Sequence, residues 1–324
     1  MIGCGMAHGQ DLQAAAAMLP VARSDGREVE GAFALPPQLW LSAEACSAAV
    51  AACERRGWDV TSTDPVDGAP AVQRTLARRP LLGAGGVVER SGRAPRPLEV
   101  VQDDDGAWAL AREALELARP RVAAYYSVPA ESIELLWAYV KIYDATSGRR
   151  GLGEHSDASD VTLNVMLSCE DEGCDGFGGG TRLYLFDAAE SATLAVRRAA
   201  FRAAHGRGGD WGAELARSLG EGALASRAVD APGGGLRRPG RLLAHPGALS
   251  HGVTPLASGA GQRHSLLLFL ALRGGLLDGQ RFWPAQCARR AAPPGRPSVI
   301  TAPMAWGAEW YQSKYNKPRQ PPPP

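Results

Sequence analysis

The sequence has no excess of either charge and no long apolar run. Its 324 residues include 35 Lys and Arg against 34 Asp and Glu, which gives a net charge of +1. A balanced charge offers no general attraction for a nucleic-acid backbone, and no stretch reaches the roughly 18 consecutive apolar residues that a membrane helix needs. Composition therefore predicts no nucleic-acid partner and no membrane partner.

Cysteines are few and widely spaced, with six in the whole chain. This is far below the density of a secreted module held together by disulfides, and no pair has the Cys-x-x-Cys spacing of a zinc site. Cys169 and Cys174 flank an acidic stretch, for which a local disulfide and a solvated loop both stay open. The N-terminus lacks the basic region of a signal peptide, so a cytoplasmic location is expected.

Hydrophobic residues make up 45% of the chain, which is enough for a sizeable core. A helical support region is predicted over residues 36–134. One helix is expected over 42–57, beginning at a serine N-cap and stopping at a glycine. A second is expected over 106–126, where Pro120 should kink or split it. The segment 58–102 is rich in Pro and Gly and is expected to be irregular.

From about residue 135 the apolar pattern changes from the helical period to alternation, which indicates a sheet. In LLWAYVKIY one face is apolar and the other is polar or aromatic. The apolar face comprises Leu136, Ala138, Val140 and Ile142, and the other face comprises Trp137, Tyr139, Lys141 and Tyr143. Residues 161–167 (VTLNVML) show the same asymmetry. Further strands are expected at 182–186, 241–245, 250–254 and 263–272, and many short strands with Gly-rich turns favour a sandwich or barrel.

Three residues have the types and order of a metal site. His155 and Asp157 are two positions apart, and such residues project from a strand to the same face. His251 would come from a distant strand. Two imidazoles and one carboxylate leave three positions of an octahedron open, which suits a non-haem Fe(II) oxygenase. His245 is a rival for the third position, but it precedes the Pro-Gly turn rather than following it.

A dicarboxylate co-substrate such as 2-oxoglutarate would account for a second set of residues. Its far carboxylate would be buried and would need a fixed cation and hydroxyl donors. Arg263 and Ser265 lie two apart on one predicted strand, and an arginine gives two parallel hydrogen bonds without losing its charge. Tyr143 would add a phenolic donor, and Asn164 lies on the corresponding face of the next strand.

Taken in order, these motifs resemble the Fe(II)/2-oxoglutarate dioxygenases of the prolyl 4-hydroxylase and lysyl hydroxylase type. The motifs are VKIY, EHSD, VTLNVMLS, FGGGTRLYLF, GRLLAHPGALSHGV and GQRHSLLLFL. The resemblance implies a mainly β fold with supporting helices (α+β), a double-stranded β-helix or jelly-roll barrel with N-terminal helices packed on it. It implies Fe(II) held by His155, Asp157 and His251, and 2-oxoglutarate anchored by Arg263 with Tyr143 and Ser265.

The implied organisation has four parts. Residues 1–35 are expected to be a weakly structured N-terminal segment, followed by the helical support region. Residues 135–273 would form the dioxygenase domain, interrupted by a helical insertion at 188–240 that the Ala- and Arg-rich composition indicates. Residues 274–324 would form a C-terminal aromatic and Pro-rich tail, whose polyproline II tract could dock a partner.

The resemblance also implies an activity. Dioxygen and 2-oxoglutarate would be consumed to hydroxylate an amino-acid side chain of a peptide or protein, prolyl before lysyl, releasing succinate and CO2, with ascorbate as a candidate reductant. Related nucleic-acid demethylases carry a second arginine where this chain has Phe269, and halogenases lack the carboxylate that Asp157 supplies. Two alternatives stay open, an oxygenase acting on a small molecule and a catalytically silent barrel that binds a metal or a partner.

Overall fold

The structure is a computed structural model of the whole chain. It describes residues 18–22, 28–61, 64, 70–79, 97–101, 106–146, 149–157, 159–169, 180–186, 188–205, 211–229, 238–247, 249–272 and 298–299. The C-terminal aromatic and Pro-rich tail lies outside these residues apart from 298–299, and so does the predicted loop between Cys169 and Cys174. None of the helices described is long and apolar enough to cross a bilayer.

Strands and helices are numbered in chain order. The strands are β1 (Leu19–Ala22), β2 (Glu28–Ala34), β3 (Asp59–Thr61), β4 (Ala71–Arg78), β5 (Glu99–Val100), β6 (Ile133–Asp144), β7 (Leu152–His155), β8 (Val161–Cys169), β9 (Thr181–Tyr184), β10 (Ala228–Val229), β11 (Leu242–Pro246), β12 (His251–Val253), β13 (Gln262–Leu272) and β14 (Ser298–Val299). The helices are α1 (Ala43–Arg56), α2 (Gly106–Tyr126), α3 (Ala188–His205), α4 (Trp211–Leu219) and α5 (Glu221–Arg227).

These strands form two sheets. The large sheet has the order β1-β2-β11-β8-β13-β6-β4-β3, with β14 beside β2 and β5 beside β4, and the small sheet has the order β10-β9-β12-β7. A shared apolar cluster joins Val29, Ala32 and Leu243 of the large sheet to Leu183 and Val229 of the small one, so the two sheets face each other. The mainly β fold with supporting helices is therefore confirmed, whereas neither strand order closes into a barrel within the described residues.

Helices α1 and α2 cover the outer face of the large sheet. The Ser42 hydroxyl accepts a hydrogen bond from the Ala45 amide at 3.1 Å, which caps α1 as predicted, and Gly57 ends the helix with a φ of 82°. Buried residues of both helices, such as Cys46 and Leu110, share one apolar cluster with Leu163 of β8. This cluster is the main core of the protein, and it fixes the large sheet from outside.

Pro120 does not split α2, which is continuous from Gly106 to Tyr126. Proline removes one helical hydrogen bond and crowds the preceding turn. In that turn the Arg121 guanidinium donates to the Leu117 carbonyl at 2.6 Å. The residues on either side, Ala118 and Val122, are wholly buried, so packing on the sheet maintains the helix across the proline.

The predicted apolar face of β6 is wrong at one residue, Leu136. Along the β6–β13 pair, Phe269 lies opposite Trp137 but Leu270 lies opposite Leu135, which leaves Leu136 as an extra residue. Such a β-bulge interrupts the alternation of side chains. Leu136 consequently packs with Trp137 on the inner face, whereas Leu135 faces the helices.

Two regions that were expected to lack regular structure contain strands. In the N-terminal segment, β1 and β2 form an antiparallel pair at one end of the large sheet. In the segment 58–102, β3, β4 and β5 extend the other end, since β4 pairs with β6. The pattern of β4 is hard to recognise in the sequence because four of its eight residues are only partly buried. Within the described part of the predicted helical insertion, the structure shows three helices, α3, α4 and α5.

The main core yields a first prediction. Leu163 is fully buried in the core cluster, so Leu163→Ala should lower the free energy of unfolding by about 2–5 kcal/mol through lost apolar contacts and a residual cavity. Val60 on β3 is 70% exposed, and Val60→Ala should change the same quantity by less than about 0.5 kcal/mol. Urea denaturation measures both, and equal losses would contradict the described core.

Candidate metal centre and anion pocket

Two histidines of the small sheet lie side by side. His155 is the last residue of β7 and His251 the first of β12, and the two residues are directly opposite each other in the antiparallel pair. Their ring centroids are 4.3 Å apart at an interplanar angle of 51°. Each Nδ1 lies close to a carbonyl oxygen two residues earlier, at 2.8 Å from Gly153 for His155 and 2.9 Å from Leu249 for His251. A carbonyl only accepts, so Nδ1 carries the proton in the neutral form of each ring, and Nε2 is then the atom that can bind a metal.

Asp157 completes the group, but it does not lie on the strand as the sequence argument assumed. It lies in the irregular segment after β7, where its backbone amide donates to the Gly247 carbonyl at 2.7 Å. This bond draws the chain toward the large sheet, and the carboxylate turns back to the histidines. His251 Nε2 is 3.2 Å from Oδ2 and His155 Nε2 is 3.6 Å from Oδ1. One ligand atom from each of the three side chains lies within 4.8 Å of the others.

Hydroxyl groups orient the carboxylate from the large sheet. The Thr162 hydroxyl donates to Asp157 Oδ2 at 2.7 Å, and the Ser159 hydroxyl lies 2.7 Å from that of Thr162. Thr162 is fully buried on the inner face of β8. Second-layer hydrogen bonds of this kind fix the orientation of metal-binding carboxylates.

Burial and mutual charge set the protonation of the three groups. Burial, together with the neighbouring His251, lowers the pKa of His155 to about 3. Burial alone would raise the pKa of Asp157, but His251 and His155 together hold it below its ordinary value. Burial would lower the pKa of His251, and the Asp157 carboxylate raises it instead. A neutral imidazole beside an ionised carboxylate is the form that binds a metal, and this donor set fits Fe(II).

His245, the rival histidine, lies next to this group without joining it. Its ring centroid is 4.4 Å from that of His251, and its Nδ1 lies 3.0 Å from the Pro246 carbonyl. The candidate three-residue group contains His251 and not His245.

Arg263 is a fully buried cation on the inner face of β13. It lies opposite Tyr143 of β6, with its guanidinium carbon 5.2 Å from the centre of the tyrosine ring. Nη2 donates to the Thr254 carbonyl at 2.6 Å and Nη1 to the Thr254 hydroxyl at 3.4 Å. Burial lowers its pKa to about 10, which leaves it charged at neutral pH.

No carboxylate of the described residues pairs with Arg263, and its Nε has no hydrogen-bond partner among them. An unpaired cation costs several kcal/mol in a protein interior. Thr254 offers only neutral acceptors, so the surroundings of Arg263 fit the carboxylate of a ligand. We refer to Arg263 with Tyr143 and Thr254 as the anion pocket.

The remaining predicted contacts are distributed around the inner face. Ser265 is buried two residues from Arg263, in register with Lys141 on one side and Met166 on the other. The Asn164 side-chain amide donates to the Thr181 hydroxyl at 2.6 Å. The structure therefore groups Tyr143 directly with Arg263 and shows a different hydrogen-bond partner for Asn164.

A buried ion cluster beside the pocket was not predicted. Asp64 Oδ2 accepts from Lys141 Nζ and from Arg149 Nη2, both at 2.6 Å, and all three side chains are buried. Lys141 Nζ is also 5.7 Å from the centre of the Tyr143 ring. The ring therefore lies near two cations at similar distances, Lys141 on β6 and Arg263 on β13. The available signal was a lysine within an apolar strand of a chain that has only three lysines.

Comparisons with known proteins add the following. No protein-family model and no curated protein matches the chain. It is similar in structure to an oxidoreductase of the 2OG-Fe(II) oxygenase family from Burkholderia pseudomallei, at 14% identity over 74% of this chain and 85% of that one, with a TM-score of 0.40.

Two further solved structures are similar. A prolyl-4-hydroxylase from Pseudomonas putida is 13% identical over 74% of this chain and 92% of its own, with a TM-score of 0.40. The non-haem α-ketoglutarate-dependent epimerase SnoN from nogalamycin biosynthesis is 12% identical over 92% and 98%, with a TM-score of 0.43. These low scores leave the assignment of a function to the side chains of the site.

The metal centre gives a second prediction. Asp157→Ala removes one of three donors and should abolish detectable Mn(II) binding, measured by the quenching of the Mn(II) paramagnetic resonance signal. Thr162→Val keeps the carboxylate but removes the hydroxyl that orients it, so affinity should fall only about 10–100-fold. If Asp157→Ala binds Mn(II) as tightly as the unaltered protein, these residues do not form the metal centre.

Gly180 gives a third prediction, because the glycine lies against the anion pocket. Its φ is +76°, and a Cβ there would lie 2.3 Å from Arg263 Nη1. Gly259 also has a positive φ, +87°, but a Cβ there would meet nothing within 4 Å. Gly259→Ala should cost about 1–2 kcal/mol of unfolding free energy from backbone strain. Gly180→Ala should cost about 1–3 kcal/mol more from overpacking, and urea denaturation showing equal losses would refute this contact.

Proposed function

We propose that the protein is an Fe(II)- and 2-oxoglutarate-dependent dioxygenase that hydroxylates an amino-acid side chain in a peptide or protein. The observation that carries this proposal is a buried guanidinium without a carboxylate partner among the described residues, beside a buried His-Asp-His group. A metal alone would need no such cation. A dicarboxylate that chelates the metal at one end needs a cation at the other.

In this proposal His155, Asp157 and His251 hold Fe(II) on one face and leave the other face for ligands. Bound Fe(II) would supply the oxidative decarboxylation of 2-oxoglutarate by dioxygen to succinate and CO2, coupled to hydroxylation of the substrate. The protein groups orient the reactants. The Nδ1 bonds to Gly153 and Leu249 fix the two rings, and the Thr162 hydroxyl fixes the carboxylate.

Arg263 would bind the far carboxylate of 2-oxoglutarate, with Ser265 on the same face of β13 as a further donor. The anion pocket is connected to the metal centre through β12. Thr254, which accepts a hydrogen bond from Arg263, directly follows this strand and lies three residues after His251. The Tyr143 ring lies over the guanidinium and helps to exclude water from it. Asn164, which bonds to Thr181, is a less direct candidate for contact with the co-substrate.

The strand arrangement supports a double-stranded β-helix for this domain. Strands β6, β8, β11 and β13 belong to the large sheet, and β7, β9, β10 and β12 to the small one, so the chain crosses repeatedly between two facing sheets. Eight strands divided in this way are typical of a jelly roll. We propose the dioxygenase domain at 135–273 with its insertion at 188–240, and docking by the C-terminal tail stays a prediction.

An aromatic cluster favours an uncharged substrate side chain, prolyl before lysyl. Trp137, Tyr139 and Phe269 pack on the inner face with ring centroids 4.3–5.7 Å apart. Phe269 lies opposite Thr162, whose hydroxyl binds the metal carboxylate. Aromatic faces suit an apolar ring such as that of a prolyl side chain.

A fourth prediction tests the co-substrate. Arg263→Leu should weaken 2-oxoglutarate binding by roughly 100-fold, since losing one partner of a buried charge pair costs about 2–5 kcal/mol. Anaerobic titration of the Fe(II)-loaded protein should show this as a shift of the visible charge-transfer band to higher 2-oxoglutarate concentrations. Succinate release with a peptide library then reports turnover.

Arg150→Gln is the matched control. Arg150 also donates to a backbone carbonyl beyond β12, that of Leu256 at 2.7 Å, but it is only partly buried. It should leave 2-oxoglutarate affinity unchanged. A folded, metal-bound protein that gives no charge-transfer band and no succinate would instead favour a silent metal-binding module, and succinate release with small molecules alone would overturn the peptide assignment.

A further inference from the structure

We propose that the helical insertion holds the two histidine-bearing strands in position for metal binding, with Glu154 as the positioning residue. This inference rests on the metal centre of the proposed function. It concerns a face of the small sheet opposite to the metal, and it assigns a role to the insertion.

Glu154 and Ser250 each immediately precede a histidine of the metal centre. Side chains alternate along a strand, so Glu154 points to the outer face of the small sheet where His155 points inward. Ser250 donates its hydroxyl to Glu154 Oε1. The residues just before the two histidines are therefore joined to each other on the side of the sheet that the metal does not occupy.

The second oxygen of the same carboxylate binds the insertion. Trp211 of α4 donates Nε1–H to Glu154 Oε2 at 2.8 Å, and Arg198 of α3 forms an ion pair with Oε2. The Arg198 guanidinium carbon also lies 5.2 Å from the centre of the Trp211 ring. All four side chains of this network are at least 97% buried, so one carboxylate connects two strands and two helices away from solvent.

An apolar cluster fixes the helices that supply these donors. Leu194 of α3 and Trp211 and Leu215 of α4 pack with Phe186, which follows β9. The donors therefore approach Glu154 from a rigid support rather than from a mobile loop. The rings of His155 and His251 are oriented by carbonyl groups two residues earlier in the chain. The strands are held by the side chains one residue earlier, Glu154 and Ser250. The three residues that end at each histidine therefore orient the ring and hold the strand.

The test measures Mn(II) affinity of the intact chain together with the thermal stability of the metal-free protein. Glu154→Gln and the milder Trp211→Phe should each lower Mn(II) affinity about 10–100-fold, the range expected when a support of a metal ligand is lost. Glu190→Gln is the matched control, because Glu190 of α3 forms an ion pair with Arg227 of α5 at the partly exposed side of the insertion. It should leave Mn(II) affinity within about twofold of the unaltered protein.

A double variant separates positioning from stability. Glu154→Gln removes the carboxylate that pairs with the buried Arg198, and Glu154→Gln with Arg198→Met removes the guanidinium charge as well. Its melting temperature should recover toward that of the unaltered protein, while its Mn(II) affinity should stay low because the link between the strands is still missing.

Two results would overturn the inference. One is Mn(II) affinity of Glu154→Gln and Trp211→Phe within twofold of the unaltered protein. The other is affinity that recovers together with the melting temperature in the double variant, which would make the network a contribution to stability only. If the unaltered protein fails to bind Mn(II), the metal centre itself is overturned. If the unaltered protein binds Mn(II) and only Asp157→Ala abolishes that binding, the metal centre stands and the positioning role of Glu154 is rejected.

Discussion

The antiparallel pairing of β7 with β12 is the contact on which the candidate site depends. It places His251 opposite His155, but it cannot supply the carboxylate, because β7 ends before Asp157. The carboxylate comes from Asp157 in the segment after β7, which a hydrogen bond to the Gly247 carbonyl holds against the large sheet. The site is therefore assembled between two sheets, and a change in their separation would move the carboxylate relative to both imidazoles.

Buried charges, rather than the near-zero net charge, determine the electrostatics around this pairing. Asp157 lies between two histidines, Glu154 is bonded to Arg198 and Trp211, and Asp64 is bonded to Lys141 and Arg149. Each of these anions is compensated by donors or cations within the protein, as burial requires. Arg263 differs because its hydrogen-bond partners in the described part of the chain are neutral, which fits the binding of an anionic ligand.

Sequence patterns predicted those parts of the fold in which periodicity or order along the chain carries the signal. The alternation in 161–167, the capped helix α1 and the spacing of the motifs around His155 and His251 are of this kind. The strands β3 to β5 were not predicted, because partly exposed strands near the end of a sheet have no strong pattern of apolar residues. The side of Leu136 was predicted wrongly because a β-bulge interrupts the alternation and has no marker in the sequence. The partners of Glu154 and Asp64 are non-local, and Arg198 is one of many arginines, so only the folded chain shows which of them matters.

The bond between Arg263 and Thr254 has a thermodynamic consequence. Thr254 directly follows β12, which begins with His251, so an anion bound to Arg263 would also stabilise the segment that carries a histidine of the proposed metal centre. Binding of metal and binding of anion then share a conformational free energy, and each must raise the affinity for the other by the same factor. On the proposed function, the chain would therefore hold more metal at a given metal concentration when the anion is abundant than when it is scarce.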